Sequence, residues 1–216
     1  IENTINSIAL TKQNKIAIVG AGAAGVEVSL ALNAKFQRLK IKKKIILISK
    51  NNTIMKNYPI AVAKRLEKAI SKKDITILYN SNVTKILKSS LVINNTKKIK
   101  DCCSILATNG IAPYLVKISD LALSKNGFIS VKKTLQTMNF NNIFASGDIA
   151  DVEDLGLVKA GVFAVRQADI LKKNLKNTFL QNKLIKYYPQ KSYLSLIGIT
   201  DNSAVLHKYF IVVKGK

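Results

Sequence analysis

Apolar residues in the first part of the chain fall into short runs of two kinds. KIAIV at 15–19 and KIILI at 44–48 are continuous apolar stretches of strand length, the pattern of strands buried on both faces. Between them, 23–38 places Val26, Leu30 and Ala34 on one helical face. A second helix is expected from Ala61 to Ile70, just after Pro59, a residue favoured at helix starts. ITILY at 75–79 and the segment 83–87 read as strands, and 91–99 reads as a hairpin turning at Asn94-Asn95. A strand over 103–108 leads into a loop with Gly110 and Pro113. Short strands are expected at 127–131 and 142–145, an amphipathic helix over 160–180, and a β-rich stretch over 188–213. Strand and helix alternate through residue 80, which predicts an α/β fold with a parallel sheet and crossover helices.

Composition changes this picture little. A chain of 216 residues with 48% apolar content can bury a sizeable core. The net charge of +23 invites a nucleic-acid or anionic-lipid reading. Of the 35 basic residues, however, only Arg38, Arg65 and Arg166 are arginines, the residue suited to bidentate phosphate contacts. The lysines are spread along the chain beside abundant Asn and Ile, a pattern of compositional bias, and no nucleic-acid partner is expected. Cys102 and Cys103 are adjacent and form no CxxC motif, and core packing is their expected role. The single His207 leaves no metal cluster and no Cys/His nucleophile pair to expect. Neither a signal peptide nor a membrane span is recognisable, so a reducing, cytoplasmic setting is the default.

The chemistry-bearing stretch is Gly20-Ala21-Gly22-Ala23-Ala24-Gly25, a GxGxxG directly after a strand and at a helix start. In that context Gly20 permits the tight turn, Gly22 lets backbone approach a pyrophosphate, and Gly25 lets helix and strand pack closely. The helix N-terminus favours the anionic diphosphate. The second strand ends Ile48-Ser49-Lys50, without the carboxylate that usually holds an adenosine ribose. Ser49 and Lys50 are candidates to face a 2′-phosphate, which leaves NADH and NADPH both open.

A second constellation is NIFASGDIAD at 142–151, where Gly147-Asp148 follows a short strand. It is preceded by ATNGIAP (107–113) and GFISVKKTLQT (127–137). This ordered series resembles the two-dinucleotide-binding flavoproteins of the pyridine nucleotide–disulfide oxidoreductase superfamily. With KAGVFAVRQADILKKNL (159–175) and YYPQKSYLSLIGITDNSAV (187–205), it looks most like the NADH dehydrogenase-like module found alone or fused to selenide,water dikinase.

The resemblance implies a Rossmann-like NAD(P)H-binding domain over 15–104, preceded by the tail of an FAD-binding domain at 1–14. The C-terminal half of that FAD domain would span 105–181, and a β-rich segment would begin at 182. It implies that Gly20, Gly22 and Gly25 hold the NAD(P)H pyrophosphate and that Glu27 lies near the nicotinamide. Gly147 and Asp148 would contact FAD, and the helix start from Ala160 to Gln167 would approach the flavin ring. The implied reaction is hydride transfer from nicotinamide to flavin and on to a small-molecule acceptor, with quinone as the guess by analogy. Peripheral contact with the inner face of a membrane is an expectation of the same kind.

Two departures qualify the match. The family's ATG appears as Ala107-Thr108-Asn109-Gly110, so Asn109 is either inserted or placed where a left-handed glycine is wanted. The earlier FAD-binding GxGxxG of the family is not in this sequence, and a fragment lacking that half is expected. A nucleotide-binding relative without turnover is the alternative reading.

Overall fold

The computed structural model describes residues 7–8, 10–190, 192–200, 203–209 and 211–215. The chain forms two compact units, one running to Asn109 and taken up again from Leu194, the other spanning Gly110–Tyr193.

The first unit is built on a four-stranded, fully parallel sheet. Its strands are β1 (Lys15–Val19), β2 (Lys44–Ile48), β3 (Ile75–Leu78) and β7 (Cys102–Leu106), in the order β3-β2-β1-β7. Helix α1 (Ala23–Arg38) links β1 to β2, and α2 (Ile60–Ile70) links β2 to β3. Both apolar runs are covered on two faces, as their continuity predicts. Ile16, Ile18, Ile45 and Leu47 pack with Val26 and Leu30 of α1 and with Leu66 of α2. Ala17 and Ile48 point the other way, into a cluster with Leu91, Ile93, Ile99 and Cys102. That cluster is closed by an antiparallel meander of β4 (Val83–Leu87), β5 (Ser90–Ile93) and β6 (Lys97–Lys100). The β5–β6 turn falls at the expected place, with Asn94 and Asn95 both at positive φ, a conformation that asparagine tolerates. Cys102 is buried and Cys103 half-buried, and both are free thiols.

The expected C-terminal β-rich stretch holds β10 (Ser195–Gly198), β11 (Ala204–Lys208) and β12 (Ile211–Gly215), an antiparallel meander. It belongs to the first unit: Ile197, Ile199 and Val205 are fully buried in the same core as α1 and α2.

The second unit has little regular structure. Strands β8 (Ile129–Val131) and β9 (Ala150–Val152) form a parallel pair, and a short helix, α3 (Tyr114–Lys117), starts after Pro113. Helix α4 (Gly161–Phe179) falls where the pattern predicts. The strand expected at 142–145 is reduced to a single bridge, Phe144 to Gln136. Leu135 turns at positive φ just before that partner, so no longer ladder forms. Strand β9 and α3 are too short to carry a readable period. Among the described residues no helix is long and apolar enough to cross a membrane, and no three metal-ligating side chains gather.

Candidate functional site

The three glycines of the first loop have different surroundings. Gly20 sits at φ +110°, and a Cβ there would overlap the Ala107 carbonyl oxygen. A Cβ on Gly25 would overlap the Gly20 carbonyl oxygen. Gly22 has nothing within 4 Å of where its Cβ would be. The loop is therefore closed by its first and third glycines and left open at the second. Gly22 is the N-cap of α1, in extended conformation, with no side chain capping the helix and no acidic residue in its first turn. The first turn thus carries neither a side-chain cap nor a carboxylate, the setting in which a helix end takes an anion.

Backbone contacts hold the loop in place. Gly20 donates its N–H to the Ile48 carbonyl, and Met55 donates to the Ala21 carbonyl at 2.8 Å. Met55 is buried and at positive φ, so the 49–58 segment is folded tightly against the glycine loop. Sequence reasoning missed this anchor, because nothing in a lone methionine marks it. Ser49 is buried, its hydroxyl donating to the Thr53 carbonyl and accepting from the Asn51 N–H. That hydroxyl is spent on shaping its own turn. Lys50 beside it is exposed. Glu27 is exposed on α1, and its Oε1 accepts the Gly198 N–H at 2.9 Å.

The segment after β7 passes over the loop through Ala107, whose N–H donates to the Val19 carbonyl. The left-handed conformation considered for Asn109 is not adopted: neither Asn109 nor Gly110 has positive φ, and both are exposed. The tight fit that a glycine would satisfy here is met on the other side, by Gly20.

In the second unit the structure brings together Gly147, Asp148 and Gln167. Gly147 is at φ +71° and opens a single 3-10 turn, Gly147–Ile149. Its N–H donates to Oε1 of the buried Gln167 at 2.6 Å, which ties the GD turn to the second turn of α4. A cleft of about 250 Å³ lies alongside, lined by Gly147, Asp148, Lys159, Ala160, Phe163 and Gln167. Asp148 is exposed at its edge. Helix α4 starts at the cleft with no side-chain cap and no acidic residue in its first turn, a second open helix end.

Two charged residues at this cleft were not singled out from the sequence. Lys159 donates to the Ala150 carbonyl and to Asp151, and its ammonium lies 4.1 Å from the centre of the Phe128 ring. Ser124 donates to the other Asp151 oxygen at 2.6 Å. Burial pushes the Asp151 carboxyl up, but hydrogen bonds from Lys159 and Ser124, with the lysine charge, outweigh it and hold it below its ordinary value. The only sequence signal was the repeated Asp in GDIAD, and spacing alone does not pair it with a lysine.

A family profile described as pyridine nucleotide-disulphide oxidoreductase matches residues 3–168. An NADH dehydrogenase-like protein, YutJ, of Bacillus subtilis is 26% identical over 90% of this chain and 53% of its own length. An FAD-dependent oxidoreductase of Flammulina velutipes is 25% identical over 76% of the chain and 54% of its own length. The structure of NDH2 from Plasmodium falciparum in complex with NADH superposes with a TM-score of 0.78 at 17% identity, covering 98% of this chain and 60% of that one. The chain thus spans about half the length of these curated relatives. A profile match over most of the chain, on a parallel sheet with an open glycine loop at its centre, places the protein in the pyridine nucleotide–disulphide oxidoreductase family.

Proposed function

We propose that this chain supplies the nicotinamide-nucleotide site and part of the flavin site of an FAD-dependent NAD(P)H oxidoreductase. The observation that carries the proposal is the open Gly22 between two glycines that admit no side chain, at an uncapped helix end. A pyrophosphate would lie against Gly22 and accept from the first-turn N–H groups of α1. Glu27, one turn further along α1, would accept from the nicotinamide carboxamide. Lys50, exposed at the end of β2, is the group placed to meet an adenosine 2′-phosphate, since the Ser49 hydroxyl is already engaged.

Gly147, Asp148 and Gln167, with Asn109 and Gly110 leading into their unit, would contribute to holding FAD. The exposed Asp148 carboxylate can accept from ribityl or ribose hydroxyls, and the open start of α4 favours negative charge beside it. When bound, the flavin supplies the hydride-accepting chemistry. This chain's own groups orient the two cofactors, and none is required as acid or base in that half-reaction. The acceptor would be a small molecule, with a quinone the class that analogy with the family suggests, and peripheral membrane contact would fit such an acceptor.

Titrating the purified chain with NADH, NADPH and FAD tests the reading. Binding of a pyridine nucleotide, abolished by Gly22→Val in a protein that still folds, supports it. Absence of binding by any of the three overturns it. Because the chain holds only part of the flavin site, turnover is read on the full-length protein, where pyridine-nucleotide affinity without flavin retention favours the alternative of a nucleotide-binding relative without turnover.

A further inference from the structure

Gly198 and Glu27 are far apart in sequence yet share a hydrogen bond of 2.9 Å from the Gly198 N–H to Glu27 Oε1. Gly198 ends β10, an edge strand of the C-terminal meander, and its N–H goes to the Glu27 carboxylate rather than to β11. A second tie runs from the same meander to the 49–58 segment. Ser195 of β10 donates to the Tyr58 hydroxyl at 3.3 Å, and the His207 ring of β11 packs edge-on against the Tyr58 ring. That segment is itself pinned to the glycine loop by Met55 and Ala21. The meander is therefore tied to α1 and to the 49–58 segment, both of which adjoin the glycine loop.

We infer that the C-terminal meander is the positioning element of the nicotinamide site, with the Gly198 N–H orienting the Glu27 carboxylate for its ligand. The inference rests on the nucleotide-binding role proposed above. An exposed glutamate otherwise samples many rotamers, and ordering it on binding costs affinity. With Oε1 held by Gly198, the carboxylate is already aimed, and its remaining lone pairs are free to accept from a carboxamide N–H. Linkage makes the effect reciprocal: a nucleotide that engages Glu27 also tightens β10 on α1.

Gly198→Pro removes the donor, and Gly198→Ala keeps it, since a Cβ there would make an ordinary 3.6 Å contact with Glu27. NADH fluorescence titration of the full chain should show affinity about 5- to 10-fold weaker in Gly198→Pro, restored in Gly198→Ala. In a Glu27→Ala background the proline should have no further effect, which a merely structural role for Gly198 does not predict. In the wild-type chain, saturating NADH should slow hydrogen exchange at the Gly198 amide on the order of 10-fold. If Gly198→Pro fails to fold, the exchange measurement decides alone. Nucleotide binding by wild type with neither a proline effect nor a change in Gly198 exchange overturns this inference and leaves the proposed function standing. No binding by wild type removes both.

Discussion

The Ala107 carbonyl oxygen occupies the space that a side chain on residue 20 would need. Gly20 turns the chain out of β1 and Ala107 carries it out of β7, the neighbouring parallel strand. The first glycine of the loop is thus required twice, for its φ of +110° and for the strand that crosses beside it. Gly22 answers to no such contact within the protein, which leaves room there for the pyrophosphate in the proposed function. This contrast separates folding from binding within one six-residue motif.

Gly22→Ala should cost no more than about 1 kcal/mol, the difference between glycine and alanine at an N-cap, and bind NAD(P)H at least about 10-fold more weakly, because the new methyl intrudes on the ligand's approach. Gly25→Ala should instead lower stability by about 3 kcal/mol or more, since its Cβ would overlap the Gly20 carbonyl. Thermal melts followed by circular dichroism, paired with NADH titration, distinguish the two. Equal loss of stability in both variants would contradict the assignment.

Asn174 is fully buried on α4, and its amide donates to the Thr134 and Ile185 carbonyls while its oxygen accepts the Ile185 N–H. Replacing it with leucine takes the partner from three backbone groups, one on the half-buried Thr134 and two on Ile185, and removes the buried amide itself. The expected destabilisation is about 2–4 kcal/mol, measured by urea unfolding.

The Asp151 carboxyl titrates below its ordinary value in the folded chain, so the unfolded chain binds the proton more readily. Its contribution is complete above the unfolded value of 3.8 and is lost as pH falls through the lower folded value. Lys159→Met removes the paired charge and should reduce this acid-linked loss while lowering stability near neutrality. Urea midpoints compared at about pH 6 and about pH 3 check both signs. A variant with the wild-type pH dependence would show that Lys159 is not what holds the carboxyl down.

Lys50→Ala should weaken NADPH binding while leaving NADH binding within about 2-fold, because only NADPH carries the 2′-phosphate. Parallel titrations with the two nucleotides, repeated at higher salt, read the difference. An equal effect on both would move Lys50 away from the adenosine end.

Much of the first unit was legible in the sequence. The bounds of β1, α1 and β2 follow from local pattern, because a strand covered on both faces must be apolar throughout and a helix packed on one face must repeat every turn. The second unit was harder to read, since its strands have three residues each and much of its chain is held by turns and side-chain hydrogen bonds. The sequence by itself determined that a glycine loop opens a helix at the end of a buried strand, and that Gly147-Asp148 precedes a long amphipathic helix. Only the tertiary structure decided which glycine of the loop is left uncrowded, that Gln167 holds Gly147, that Lys159 pairs with Asp151, and that Gly198 reaches Glu27. The first kind of information lies in the period of neighbouring residues. The second lies in contacts between residues distant in the chain, and those exist only once the packed core has brought the strands and helices together.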